Sequence, residues 1–83
     1  MILDILTPDK KVFSGEVISV AVPGKKGSFE VLNHHAAIIS TLDNGKMRVK
    51  TKTATIIYMV KGGVIEVLQN KVVVLAEALE ELS

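Results

Sequence analysis

The chain has no cysteine, two prolines and only three aromatic residues among 83 positions. Without cysteine there is no disulfide framework and no thiolate metal site, and the chain is compatible with a reducing compartment. Phe13, Phe29 and Tyr58 are too few for a single-strand nucleic-acid binder, which stacks bases on aromatic platforms. A dominant charge is also missing. Ten basic and nine acidic residues leave a net charge of +1, far from the strongly basic balance of a phosphate-backbone binder. The apolar runs are only a few residues long, against the roughly 20 that cross a bilayer, and no basic region followed by an apolar one opens the chain. It therefore reads as soluble and without a signal peptide. No Ser-His-Asp set, acid pair or metal constellation is present, so no enzyme activity and no cofactor are expected.

What is present is apolar content at short, regular spacing. Hydrophobic residues make up 48% of the sequence, enough for one domain to bury a core unaided. Ile2 to Thr7 reads as a first strand, stopped by Thr7-Pro8-Asp9-Lys10. Lys11 to Val22 reads as a second run broken at Ser14-Gly15 by a bulge or a close backbone approach, because Val17 falls out of phase with Val20 and Val22. Pro23-Gly24 and Gly27 bound a turn, and Ser28 to Leu32 alternates with Phe29 and Val31 on one face. Asn33-His34-His35 forms a loop before Ala36 to Leu42. Asp43-Asn44-Gly45 then signals a turn that tolerates positive φ.

Lys46 to Lys52 shows the cleanest alternation, with Met47, Val49 and Thr51 opposite Lys46, Arg48, Lys50 and Lys52. Ala54 to Val60 follows a short turn near Thr53, and Lys61-Gly62-Gly63 separates it from Val64 to Leu68. A hairpin at Gln69-Asn70 leads to Lys71 to Ala76, a run expected to be buried on both faces. Only Glu77 to Leu82 has helical composition. These signals predict an all-β protein, a two-layer antiparallel β-sandwich or flattened barrel of about eight to ten short strands. Residues 1–76 form the domain, and 77–83 form a short acidic tail, a helical stub at most. Gly15, Gly24, Gly27, Gly45, Gly62 and Gly63 are its structural turn residues. Strands with apolar residues on both faces exceed what a two-layer sandwich can cover, which predicts an exposed apolar patch and hence a partner surface.

The ordered signals Thr7-Pro8, Val12-Phe13-Ser14-Gly15-Glu16-Val17, Val22-Pro23-Gly24, Gly27, Phe29, Val31-Leu32 and His35-Ala36 resemble one family. So do Leu42, Gly45, Val60, Gly62-Gly63, Glu66-Val67, Asn70-Lys71-Val72 and Val74-Leu75-Ala76 that follow. The family is the epsilon subunit of the F-type ATP synthase, specifically its N-terminal β-sandwich, and the resemblance covers nearly the whole chain. It implies a non-catalytic part of the central stalk in proton-driven ATP synthesis, with the gamma subunit and the membrane c ring as partners. It also implies a peripheral location on the cytoplasmic face of the bacterial inner membrane.

The resemblance points to His35, with Asn33, His34, Ser28 and Glu30, as the end that meets the c ring. Asn33-His34-His35-Ala36-Ala37 stands where the family usually has Pro-Gly-His-Ala-Pro, and Ser28 stands where an acidic residue is common. Members continue into two antiparallel helices that give inhibitory and, in some, ATP-sensing behaviour. Glu77 to Leu82 resembles only the beginning of that region, so a coupling subunit without the helical brake is expected.

Other readings of the same residues are weaker. Two adjacent histidines point apart in extended chain and make a poor zinc site. Gly24-Lys25-Lys26-Gly27 lacks the spacing of a phosphate loop and precedes a strand. The row of Lys46, Arg48, Lys50 and Lys52 reads as a solvated face or an edge guard, or as a face drawn to acidic partners or anionic headgroups. Lys61 beside Gly62 could imitate the modified lysine of a lipoyl- or biotin-type carrier, but the flanking residues of those motifs are missing.

Overall fold

A computed structural model describes Met1–Leu82, all of it strand, turn or loop. Ser83, the last residue of the expected acidic tail, lies outside the described residues. The strands are β1 Ile2–Leu6, β2 Lys11–Glu16, β3 Ser19–Val22, β4 Phe29–Leu32, β5 Ile38–Leu42, β6 Gly45–Lys50, β7 Thr55–Leu68 and β8 Lys71–Glu81. They run in the hydrogen-bonded order β2-β1-β8-β7-β6-β3-β4, with β5 also paired to β7. The eight strands fall at the lower end of the expected range.

The sandwich arises because β7 and β8 are long enough to serve both layers. The second half of β7, Gly63 to Val67, pairs with β5, and its first half, Thr55 to Val60, pairs with β6. β8 follows the same division: Lys71 to Leu75 lies beside β1, while Ala78 to Glu81 continues along the first half of β7. One layer is thus β2-β1-β8-β7-β5 and the other is β8-β7-β6-β3-β4. β7 changes layer at Gly62-Gly63 and β8 opposite it, between Ala76 and Ala78, and the buried phase changes with them. Tyr58 and Val60 point inward before the corner, Ile65 and Val67 after it, as period-2 alternation requires when a strand turns over.

Gly63 cannot carry a side chain at this corner. Its φ is 142°, and a Cβ there would lie 2.2 Å from the backbone oxygen of Leu75. Lys61-Gly62-Gly63 is therefore a bend inside one 14-residue strand and not a gap between two.

The core is the inward phase of every strand but β2: Leu3, Ile5, Val20, Val22, Val31, Leu42, Met47, Val49, Tyr58, Val60, Ile65, Val67, Val72, Val74 and Ala76, with Met1 and Val17 beside them and Val12 and Phe13 of β2 partly buried against them. Met47 and Val49 are buried between exposed Lys46, Arg48 and Lys50, in agreement with the alternation of that segment. β6 lies between β7 and β3, so its basic row is a solvated face in mid-layer and guards no edge.

Several expectations are corrected. The phase change at Val17 comes from the chain crossing between layers after Glu16, not from a bulge at Gly15, which pairs regularly with Leu3. The bulge lies nearby, at Val12, where the register shifts between Ile5 and Leu6. Asp43-Asn44-Gly45 joins strands of different layers, and neither Asn44 nor Gly45 has a positive φ. Lys71 to Ala76 is buried on one face only, with Leu75 50% exposed on the other. Glu77 to Glu81 is strand, not a helical stub. A helix that short does not repay its nucleation cost, whereas the first half of β7 offers a full set of backbone partners and Leu79 packs opposite Val60.

Candidate functional site: two surfaces of the sandwich

The sandwich has two ends. The corner end gathers Gly62-Gly63, the Pro23-Gly24 turn and Asp43-Asn44. The ties are Asp43 N–H to the Pro23 oxygen at 2.7 Å and Gly62 N–H to Asn44 Oδ1 at 3.0 Å. The hairpin end gathers the two-residue turn Gln69-Asn70, the loop after β4 and the start of β1. There Ile2 N–H reaches the Asn70 oxygen at 3.2 Å, and His34 N–H reaches Asn70 Oδ1 at 2.8 Å. Gln69 and Asn70 both have positive φ, the geometry of a tight primed hairpin turn.

This frame splits the site residues anticipated for a ring contact. Asn33, His34 and His35 lie at the hairpin end, after the last residue of β4, while Ser28 precedes its first residue and faces the corner end. Four strand residues separate Ser28 from Asn33, so the two groups stand roughly 16 Å apart along an edge strand. Glu30 lies between them, exposed on the outer face opposite Ala21. The residues are joined by the β4 edge and not by a common loop cluster.

His35 is half-buried, with its Nδ1 2.7 Å from the Ala36 oxygen. A carbonyl only accepts, so Nδ1 is the donor in this contact. No grouping of His, Asp and Glu among the described residues could hold a metal ion. In the Gly24 to Gly27 turn, Gly27 N–H bonds the Gly24 oxygen and Lys25 N–H bonds Thr41. Those amides are already used, which removes the phosphate-loop reading. Lys61 sits within β7, paired to Ala78, and not on a hairpin tip, which removes the carrier reading.

The outer face of the β2-β1-β8-β7-β5 layer was legible only as an excess of apolar residues. The register assigns it three rows. Toward the corner end, Leu6, Leu75, Val64 and Thr41 lie side by side. In the middle run Ser14, Asp4, Val73, Glu66 and Ile39. Toward the hairpin end come Glu16, Ile2, Lys71 and Leu68. Ile39 is 72% exposed and Leu68 54%, and open apolar hollows lie along Leu6, Val64 and Leu75 and along Ile39 and Leu68.

The Asp4 carboxyl, in the middle row, is held below its ordinary value. The chief cause is the Ser14 hydroxyl donating at 2.7 Å, assisted by Lys11 and Lys71 against the cost of partial burial. The Lys71 ammonium approaches it to 3.5 Å. The opposite outer face carries the basic row, flanked by Ala21 and Ile57 beside Arg48. The first face mixes exposed apolar residues with charges of both signs, whereas the charges of this row are all basic. Among the described residues no helix is long and apolar enough to cross a membrane.

Comparison with known proteins agrees with this architecture. A family description of the ATP synthase delta/epsilon chain β-sandwich domain matches residues 1–82. The chain is 42% identical over 90 residues to the ATP synthase epsilon chain of Salinibacter ruber, covering 98% of this chain and 60% of that one. It is 45% identical over 78 residues to that of Pelotomaculum thermopropionicum, covering 94% and 58%. The chain thus spans about three fifths of these two relatives, but 86% of the epsilon chain of Chlorobium limicola, to which it is 41% identical over 76 residues.

Among solved structures, a chain of the Euglena gracilis mitochondrial ATP synthase superimposes with a TM-score of 0.93 at 21% identity, covering 99% of this chain and 53% of that one. One from the central stalk and c ring of the Tetrahymena thermophila enzyme gives 0.84 at 16%, covering 95% and 64%. At such identities these two show a shared fold. With the family match extending from the first strand to Leu82, the chain belongs to the ATP synthase delta/epsilon family and is similar to its epsilon chains over the β-sandwich domain.

Proposed function

We propose that the chain is the sandwich part of an epsilon subunit in the central stalk of an F-type ATP synthase. In this reading it is a non-catalytic coupler that joins the gamma subunit to the c ring during proton-driven ATP synthesis. Its place is peripheral, on the cytoplasmic face of a bacterial inner membrane, held there by the complex. One observation carries this reading: outward apolar side chains, the row Leu6, Leu75 and Val64 with Ile39 and Leu68 beyond it, lie on either side of Asp4, Glu66 and Lys71 on one outer face, while the other outer face carries the basic row. Large apolar side chains left in water in this number, rimmed by polar ones, mark a contact with another protein. The gamma subunit grips that face, and the hairpin end, with His35, meets the ring.

The test is size exclusion with the cognate gamma subunit at low and moderate salt. Wild type is expected to co-elute, and the double variant V64K/L75E to elute alone. Both positions are exposed, so each change should alter stability by no more than about 0.5 kcal/mol. His35→Ala should keep the fold and gamma binding while weakening association with the ring. Absence of co-elution by wild type, or its persistence in the double variant, would refute the assignment of this face.

A further inference from the structure

We infer that Asn70 is the positioning residue for the His35 loop, a role that rests on the reading of the hairpin end as the side that meets the c ring. The loop Asn33 to Ala37 contains no proline to fix its own φ, and His34 within it is left-handed, with φ 62°. Its local ties are short in sequence: His35 N–H to the Leu32 oxygen, and His35 Nδ1 to the Ala36 oxygen. The tie from this loop to a segment distant in sequence is His34 N–H to Asn70 Oδ1 at 2.8 Å, across 36 positions. It lands on the backbone of the left-handed residue, immediately before His35.

Asn70 suits this task for two separable reasons. Its φ is 62°, and asparagine is among the few side-chain-bearing residues that enter this region readily. Glycine would serve the turn equally well. What glycine lacks is the amide oxygen, and that oxygen holds the loop. The Asn70 carbonyl also accepts from Ile2 N–H, so one residue ties the β7-β8 hairpin to the start of β1 through its backbone and to the histidine loop through its side chain. A loop held in one conformation before contact loses less entropy on binding than a free one. Asn70 therefore acts on the ring contact through His35 without touching the ring.

The experiment uses the whole chain bound to its gamma subunit, with detergent-solubilised cognate c ring as the probe. Asn70→Gly keeps the turn and deletes the oxygen, and Asn70→Asp keeps an oxygen at the same reach. Asn70→Gly is expected to speed hydrogen exchange of the His34 amide about two- to tenfold and to weaken ring association about three- to tenfold, with gamma binding unchanged. Asn70→Asp should restore both. Combining Asn70→Gly with His35→Ala should cost little more than His35→Ala alone, because a residue that acts through His35 has nothing left to position. An Asn70→Gly variant whose His34 amide is deprotected but whose ring association is unaltered overturns the inference and leaves the coupler reading intact. Additive losses in the double variant, or a loss of gamma binding, overturn it in favour of a general structural role. A wild-type chain that binds gamma but not the ring overturns it together with the assignment of that end.

Discussion

Replacing Gly63 by alanine tests whether the fold depends on one corner. The φ of 142° is a conformation that side chains rarely adopt, and forcing alanine into it costs about 1–3 kcal/mol. The added Cβ would lie 2.2 Å from the Leu75 oxygen and 3.0 Å from the Ala76 Cα. Both are backbone atoms of the strand paired to Gly63, and neither can withdraw without opening the ladder where β7 changes layer. Overpacking of this kind adds about 1–3 kcal/mol, for a total of about 2–6 kcal/mol. A domain of this size is stable by roughly 4–12 kcal/mol, so the substitution removes a large share and lowers Tm by at least about 8 °C.

Two controls separate the causes. Gly27→Ala places alanine at φ 127° with nothing within 4 Å, so only the backbone strain is felt. Gly15→Ala puts a Cβ at 3.6 Å from the Phe13 ring, an ordinary contact, in a regular strand, and should be nearly neutral. Thermal and urea unfolding followed by circular dichroism give the ranking. A Gly63→Ala protein no less stable than Gly27→Ala would refute the argument that the corner is sterically closed.

Two further outcomes concern the core. Met47 is fully buried, and Met47→Ala should cost about 2–5 kcal/mol in urea unfolding, while Ile39→Ser, at a position 72% exposed, should be near neutral. The Tyr58 hydroxyl is raised above its ordinary value of 10.0 by burial first and the Glu81 charge second. Below that value the tyrosine is neutral whether folded or unfolded and its contribution is complete. As pH climbs through the higher folded value the unfolded chain ionises first and stability is lost. A urea-midpoint series should therefore fall above about pH 10, and Tyr58→Phe should flatten the fall; an unchanged slope would show that the ring hydroxyl does not contribute.

The layer architecture was legible where one face of a strand is wet and the other buried. Lys46 to Lys50 announces its own orientation, because a slip of one residue would bury three cations. Runs such as Val72-Val73-Val74-Leu75 are ambiguous, since period-2 alternation is silent when both faces are apolar. Their reading as doubly buried was wrong for the same reason that the predicted excess patch was right: the second face is Leu75 and its neighbours, left outside. Composition misled at Glu77 to Leu82, where helix-favouring residues yield to a partner strand that is distant in sequence. Candidate loops were correctly found as loops. Their distribution between two ends was not, because Gly24 to Ser28 and Asn33 to His35 are close in sequence but flank β4, and only pairing shows which end each joins. The Asn70 tie could not be read at all, since nothing in a sequence connects an asparagine to a backbone amide 36 positions earlier.

The proposed coupler role requires force to pass between the two contacts, and the course of the backbone indicates a route for it. On the proposed reading the gamma subunit presses on one outer face and the ring meets the hairpin end, so the load crosses from one layer to the other. A sandwich whose layers met only through side chains would shear under such a load, since apolar packing is non-directional. Here β7 and β8 belong to both layers and keep one register from Leu68-Lys71 to Tyr58-Glu81, interrupted only at Gly62 and Glu77, so the ladder resumes on both sides of the corner. The glycine pair that permits the turn is also where a hinge would form. It is closed on three sides: Gly63 is paired to Leu42 and to Ala76, and Gly62 N–H is held by Asn44. Glycine therefore provides the shape of the corner while its neighbours restrict the freedom that glycine would otherwise bring, which ties the two surfaces through backbone as well as side chains.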